Sequence, residues 1–271
     1  MQQTGNKIPS IKKPRLTIRV SRTSMMFSVP NVEAPQQVEF EPYEIKNGIS
    51  PAANLRQAFL TSNLLRAKTL RARLMIDEPA LMIPIEEYSD NPADKLYSHS
   101  FTMPSGCSVA HNVVPELNTV AVYALNKDLK MVVTDHFDDV RYCTVAQPVY
   151  THLYRNSFAV PWKKLYAYFH DDKMELMAFR QNRFRFINQF ATTQAHDALY
   201  YIMAVWQTLG MNNEQDEIHL VGSVPEADFM VSQLRTFVQK AFVVNPVAHF
   251  NRSPLTRIEG MPFDLMCLYL G

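Results

Sequence analysis

Read from its amino end, the chain sets short β-branched hydrophobic runs between polar turns, and that rhythm predicts strands first. Leu16–Val20 and Met25–Val29 flank the polar turn Ser21-Arg-Thr-Ser24, and Val38–Ile45 follows the breakers Pro30 and Pro35. Ser50-Pro51 reads as an N-cap with proline at the first helical position. Ala52, Leu55, Phe59 and Leu64 lay an apolar stripe along the helix it opens, which ends near Arg66. Arg71–Ile76 and Ala80–Ile85 are strands joined by Asp77-Glu78-Pro79, and Asn91–Tyr97 is a short helical turn. Thr119–Leu125 is almost wholly apolar, as a strand buried on both faces would be. A helix over Asn126–Phe137, a strand over Val140–Val145 and a helix opened by Pro148 complete this half.

The second half repeats the plan. Leu165–His170 and Met174–Arg180 make a hairpin around Asp171-Asp172, and Arg183–Phe190 follows a turn at Asn182. Thr192 or Thr193 caps a helix whose Leu199, Ile202, Met203, Trp206 and Leu209 fit a 3.6-residue period up to Gly210. Glu217–Val221 is a short strand, and Ser223-Val-Pro-Glu226 has the spacing of a capping box. Its helix carries Met230, Leu234, Phe237, Val238 and Ala241 inward. Residues 245–262 are punctuated by proline, and Phe263–Leu270 is a closing helix or strand.

Bulk numbers narrow the function classes. A net charge of +1 gives no global bias toward nucleic acid or an anionic membrane, although Lys12, Lys13, Arg15, Arg19 and Arg22 cluster near the start. Cys107, Cys143 and Cys267 are far apart with no CxxC pair, so a reducing cytoplasm is expected rather than a disulfide framework or a thiolate zinc site. Met1–Lys13 has no apolar core of a secretory signal, and no apolar run approaches the roughly 20 residues of a membrane span. The histidines show no HxxxH or HxH grouping, and no GxSxG, GxxxxGK[ST] or GxGxxG occurs, so no metal site and no catalytic residue is expected. Phe179, Phe184, Phe186 and Phe190 interleave with Arg180, Arg183 and Arg185, a pattern open to core packing or to stacking on single-stranded nucleic acid.

Three consecutive strands, a helix, a strand ending in glycine and a capped helix form the order of a ribonuclease-H-like subdomain, and two such units in tandem resemble the actin-like ATPase superfamily. The order after Ala191 is most similar to the pilus-assembly and cell-division bacterial actins, and to a bacterial family of unknown function with that fold. The resemblance implies an α/β chain of two tandem subdomains, 1–157 and 158–271, with residues 1–14 a loose arm and 263–270 packing back on the first subdomain.

It also implies where a nucleotide would sit, and there the chain departs from the pattern. Active members end the first strand of each half with Asp-x-Gly, the acid holding magnesium through water and the glycine letting backbone N–H groups approach phosphate. The first half instead reads Arg19-Val-Ser21-Arg22-Thr-Ser24, and the second His170-Asp171-Asp172-Lys173. The adenosine turn keeps one glycine, in Gly222-Ser223, and the whole chain has only 7. By position in the fold, the candidate cofactor-binding residues are Ser21, Ser24, Asp171, Asp172, Gly222 and Ser223. The expectation is a non-catalytic binding or scaffold protein that engages another protein through a degenerate cleft, with no cofactor. The alternative is an ATP-dependent kinase or ATPase using Arg19 or Arg22 against phosphate and Asp171 or Asp172 for magnesium.

Overall fold

A computed structural model describes residues 14–67, 69–89, 93–157, 160–180 and 183–271. The expected arm through Lys13 and the turn residues Asn91 and Asn182 lie outside the described residues. The first half folds in the order β1 (Leu16–Val20), β2 (Met25–Pro30), β3 (Val38–Tyr43), α1 (Pro51–Thr61), α2 (Asn63–Arg66) and β4 (Arg71–Ile76). Ser50 caps α1 by accepting the Ala53 amide at 3.1 Å. An insertion follows, made of β5 (Ala80–Pro84), α3 (Ala93–Ser100), β6 (Cys107–Val114) and β7 (Thr119–Asn126). The half closes with α4 (Lys127–Thr134), β8 (Asp139–Thr144) and α5 (Gln147–Asn156). Its main sheet runs β3-β2-β1-β4-β8, antiparallel through the hairpins and parallel from β1 onward, while β5-β7-β6 form a separate antiparallel sheet.

The second half contributes β9 (Lys164–His170), β10 (Lys173–Arg180), β11 (Arg183–Ala191), α6 (Ala195–Thr208), β12 (Glu217–Gly222), α7 (Ala227–Leu234) and β13 (Lys240–Val243). Its sheet order, β11-β10-β9-β12-β13, and its strand directions reproduce those of the first sheet. Two short segments remain, α8 (Pro246–His249) and α9 (Phe263–Leu270).

Alternation along β9 decides what faces what. Leu165, Ala167 and Phe169 pack in a core with Ile202 and Trp206 of α6 and Met230 and Leu234 of α7. Tyr166 and Tyr168 point the other way, into a cluster shared with the first sheet and with Phe263, Leu265 and Met266 of α9. The α9 sequence FDLMCLYL is apolar nearly all round, and such a helix must be enclosed.

Several expected details change. The segment Ser223–Glu226 forms no capping box: α7 starts at Ala227, and its N-cap Glu226 sits at φ 41° with no side-chain cap. Pro225 explains this, because the residue before a proline is steered away from helical dihedrals. Neither Thr192 nor Thr193 caps α6, whose N-cap is Gln194. Ala241 belongs to β13, and Phe237 is exposed. The short helix after Asn91 runs over Ala93–Ser100, and β6 is a strand that the sequence pattern does not announce.

Candidate functional site

The two hairpin turns that would each grip a phosphate instead bind one another. The turn after β1 is drawn tight by Ser21, whose amide donates to the Ser24 carbonyl at 2.8 Å and whose Oγ accepts the Ser24 amide at 2.8 Å. The turn after β9 is a two-residue one, with Asp171 and Asp172 at φ 43° and 60°, the left-handed pair that a tight hairpin needs. Across the gap, Asp171 Oδ1 accepts the hydroxyls of Ser21 at 2.6 Å, Ser24 at 2.8 Å and Thr23 at 3.0 Å. Its Oδ2 accepts Arg19 Nη2 at 2.6 Å.

Arg19 ties this cradle to α9. Its Nε donates to both oxygens of Asp264 at 3.0 Å, and its Nη1 donates to Ser24 Oγ at 2.9 Å. Tyr168 of β9 donates to Asp264 Oδ2 at 2.6 Å. One guanidinium therefore joins the first sheet, the second sheet and the last helix, with its side chain 2 % exposed. Burial alone would lower the Arg19 pKa, but the Asp264 and Asp171 charges outweigh it and raise it further. Burial opposes ionisation of Asp171, yet His170, Arg19 and Ser21 hold its carboxyl far below the usual range.

A second polar group lies beside the cradle. His170, last in β9, has Nε2 3.3 Å from Glu175 Oε1, and Glu175 also accepts Gln189 Nε2 at 3.2 Å and the Tyr150 hydroxyl. Asp77, just past β4, accepts Lys173 Nζ at 2.9 Å through Oδ2. Burial would lower the His170 pKa, but Asp171, Glu175 and Asp77 raise it to about 9. Burial raises the Asp77 pKa, with His170 and Lys173 opposing.

Of the six candidate positions, Ser21, Ser24 and Asp171 meet in this clasp, whereas Asp172 is exposed at its hairpin tip. Gly222 and Ser223 back onto the end of β9. Gly222 sits at φ +84°, where a Cβ would fall 2.9 Å from a Tyr168 ring carbon and closer still to the Phe169 carbonyl oxygen. The Ser223 amide donates to that carbonyl at 3.0 Å, so it is not offered to a ligand. Magnesium and ATP do not fit these residues. The hydroxyls that would receive phosphate already hold a carboxylate, and a buried arginine stands near the place of the metal-binding acid. The aromatic residues of the Phe179–Phe190 stretch are equally committed: Phe179 packs against Tyr154 and Tyr166, and Phe186 and Phe190 cover the second core.

Sequence reasoning missed Asp77, Tyr168, His170 and Asp264. For Asp264 a signal exists, since one acid inside an apolar octapeptide must be buried against a cation. The others act through partners far away in the chain.

A third polar contact ties α5 to α8. His152 Nε2 lies 2.7 Å from His249 Nε2 and also accepts Asn156 Nδ2 at 3.0 Å, so the two rings share one proton as a neutral pair. Burial, then His249 and Arg155, push His152 down to about 4. Its folded pKa thus lies below the unfolded value of about 6.5, so the stability it contributes is complete above 6.5 and lost as pH falls toward 4. Urea unfolding at pH 7 and pH 4.5 should show a smaller pH-dependent loss in His152→Asn than in the unaltered protein. Equal losses would refute the assignment.

Among curated proteins none matches this chain. A Bacteroides thetaiotaomicron protein described as having an actin-like ATPase fold and unknown function superposes with a TM-score of 0.80 at 25% identity, covering 92% of this chain and 97% of that one. The PilM–PilN type IV pilus biogenesis complex gives a TM-score of 0.58 at 11% identity, covering 94% and 97%. The sheet order β3-β2-β1-β4-β8, matched by β11-β10-β9-β12-β13, is accordingly that of an actin-like fold of two tandem subdomains. No helix among the described residues is long and apolar enough to cross a membrane. Residues 3–241 match one family along most of the chain, and the protein belongs to it: DUF3822, proteins of unknown function.

Proposed function

We infer that the protein is a non-catalytic binding or scaffold protein whose nucleotide cleft has become an internal clasp. The observation that carries this reading is the Asp171 carboxylate in the Ser21–Ser24 turn, an anion from the chain itself where a phosphate would otherwise lie. A phosphate entering that turn would have to displace a carboxylate that already has four good donors and a buried counter-charge. The competing ATPase reading turns Arg19 or Arg22 on phosphate; both edges of the Arg19 guanidinium are engaged, and Arg22 is exposed on the turn.

A ligand present at a hundred times its Kd adds about 2.7 kcal/mol to native stability, a shift that melting experiments resolve easily. No change in Tm up to millimolar Mg·ATP is therefore expected. A saturable rise would sink the reading.

Engagement of another protein is the second part of the proposal. The PilM neighbour occurs in a complex with PilN. On this chain a groove of about 480 Å³ lies between β6 and β8, each an edge strand of its sheet; Arg73 and Arg141 line it, as does Arg155 paired with Glu116 at 2.9 Å. An edge-strand groove with that charge suits an extended acidic segment. Arg73→Glu with Arg141→Glu should abolish capture of the partner from the source cell while leaving the fold intact; undiminished capture would remove the groove from the proposal.

A further inference from the structure

The geometry points to a divalent transition-metal site, of the kind zinc or cobalt fills, formed between the two halves by Asp77 Oδ1, His170 Nδ1 and Asp171 Oδ2. One ligand atom from each of the three residues lies within 4.8 Å of the other two. His170 Nδ1 is 3.7 Å from Asp77 Oδ1 and 3.5 Å from Asp171 Oδ2, with side chains 3 %, 1 % and 7 % exposed. Those separations are too long for a charge-assisted hydrogen bond, which spans about 2.7–2.9 Å. They match two ligands on one ion, since tetrahedral bonds of about 2.1 Å place donors about 3.4 Å apart.

Among the described residues, two buried atoms that face each other here, His170 Nδ1 and Asp77 Oδ1, have no hydrogen-bond partner. The remaining polar atoms of the three side chains have partners. Lys173 takes Asp77 Oδ2, and Arg19 takes one lone pair of Asp171 Oδ2. His170 Nε2 lies against Glu175, which Gln189 and Tyr150 hold in place. A carboxylate accepting the remote ring N–H is the usual support for a metal-bound histidine, because it fixes the tautomer and leaves the other nitrogen as a donor.

Charge agrees. Around the cluster Asp77, Asp171, Asp264 and Glu175 face two permanent cations, Arg19 and Lys173. With His170 neutral, a dication balances the set. One imidazole with two carboxylates suits zinc or cobalt better than magnesium or calcium, which select oxygen alone. Such a site differs from the water-mediated magnesium position expected beside a bound nucleotide, and it does not depend on the scaffold reading. Two cavities flank the cluster, one of about 370 Å³ lined by Asp77 and one of about 200 Å³ lined by His170 and Asp171. A metal there would staple the end of β4 to the β9 turn.

The test uses the full chain, stripped with a chelator and titrated with Zn²⁺ by calorimetry and with Co²⁺ by visible absorption. One equivalent should bind and raise the Tm. Asp77→Asn, which keeps its shape and an acceptor for Lys173, and His170→Gln should each weaken binding by at least about tenfold. No saturable binding, or binding of unchanged affinity in both variants, would overturn the proposal. Anomalous diffraction from a zinc-soaked crystal of the unaltered protein gives a check free of folding effects. Its peak belongs within about 2.2 Å of His170 Nδ1, and a peak only elsewhere would refute the site.

Discussion

Replacing Arg19 with methionine should cost about 3–5 kcal/mol of stability, read as a lower urea midpoint at unchanged m-value. The cost comes mainly from what the substitution strands. Asp264 is fully buried, and without the guanidinium its carboxylate keeps, among the described residues, only the Tyr168 hydroxyl. Asp171 loses its one direct ion pair from the first sheet while its three hydroxyl donors remain. Lysine is no substitute, because Arg19 serves three acceptors in one plane and a single ammonium cannot reach them all. Adding Asp264→Met to Arg19→Met should restore about 1–3 kcal/mol, since the second change removes the stranded charge. If the two losses simply add, Arg19 and Asp264 are not coupled and the clasp is not what joins the halves.

Gly222→Ala should be nearly as damaging, at roughly 2–5 kcal/mol for a single methyl group. Two penalties combine. The backbone at φ +84° is one that side chains with a Cβ rarely adopt, and the new methyl would press on the Phe169 carbonyl and the Tyr168 ring. Backbone cannot yield as a flexible side chain would, so the β12–β9 ladder must open where Gly222 pairs with Phe169. Tyr168 carries that disturbance to Asp264. Melting and urea curves for Gly222→Ala and, as a control, Gly210→Ala separate the causes. Gly210 is also left-handed, at φ +56°, but a Cβ there would meet nothing within 4 Å. Equal losses at both glycines would leave strain alone as the explanation.

The hairpin, the buried strand β7 and the repeated order were legible because their causes are local. Alternation along Leu16–Val20, a continuous apolar run at Thr119–Leu125 and a two-aspartate turn each fix a short stretch of backbone without help from elsewhere. Strand β13 was not, since Phe242 and Val243 are half exposed at a sheet edge and carry no burial pattern. The failed capping box at Ser223 had a local cause in Pro225, which overrides the spacing.

The site divides along the same line. Residue order placed Ser21, Ser24 and Asp171 at the tips of two equivalent turns, and the missing glycines marked those turns as unusual. That Arg19 meets Asp264 and Asp171, and that His170 comes to lie beside Asp77, follows only from the packing of one sheet against the other around α9. A charge near a turn reads as solvated in a sequence. Only tertiary burial, which removes water and forces each charge to find a partner, turned these residues into a clasp.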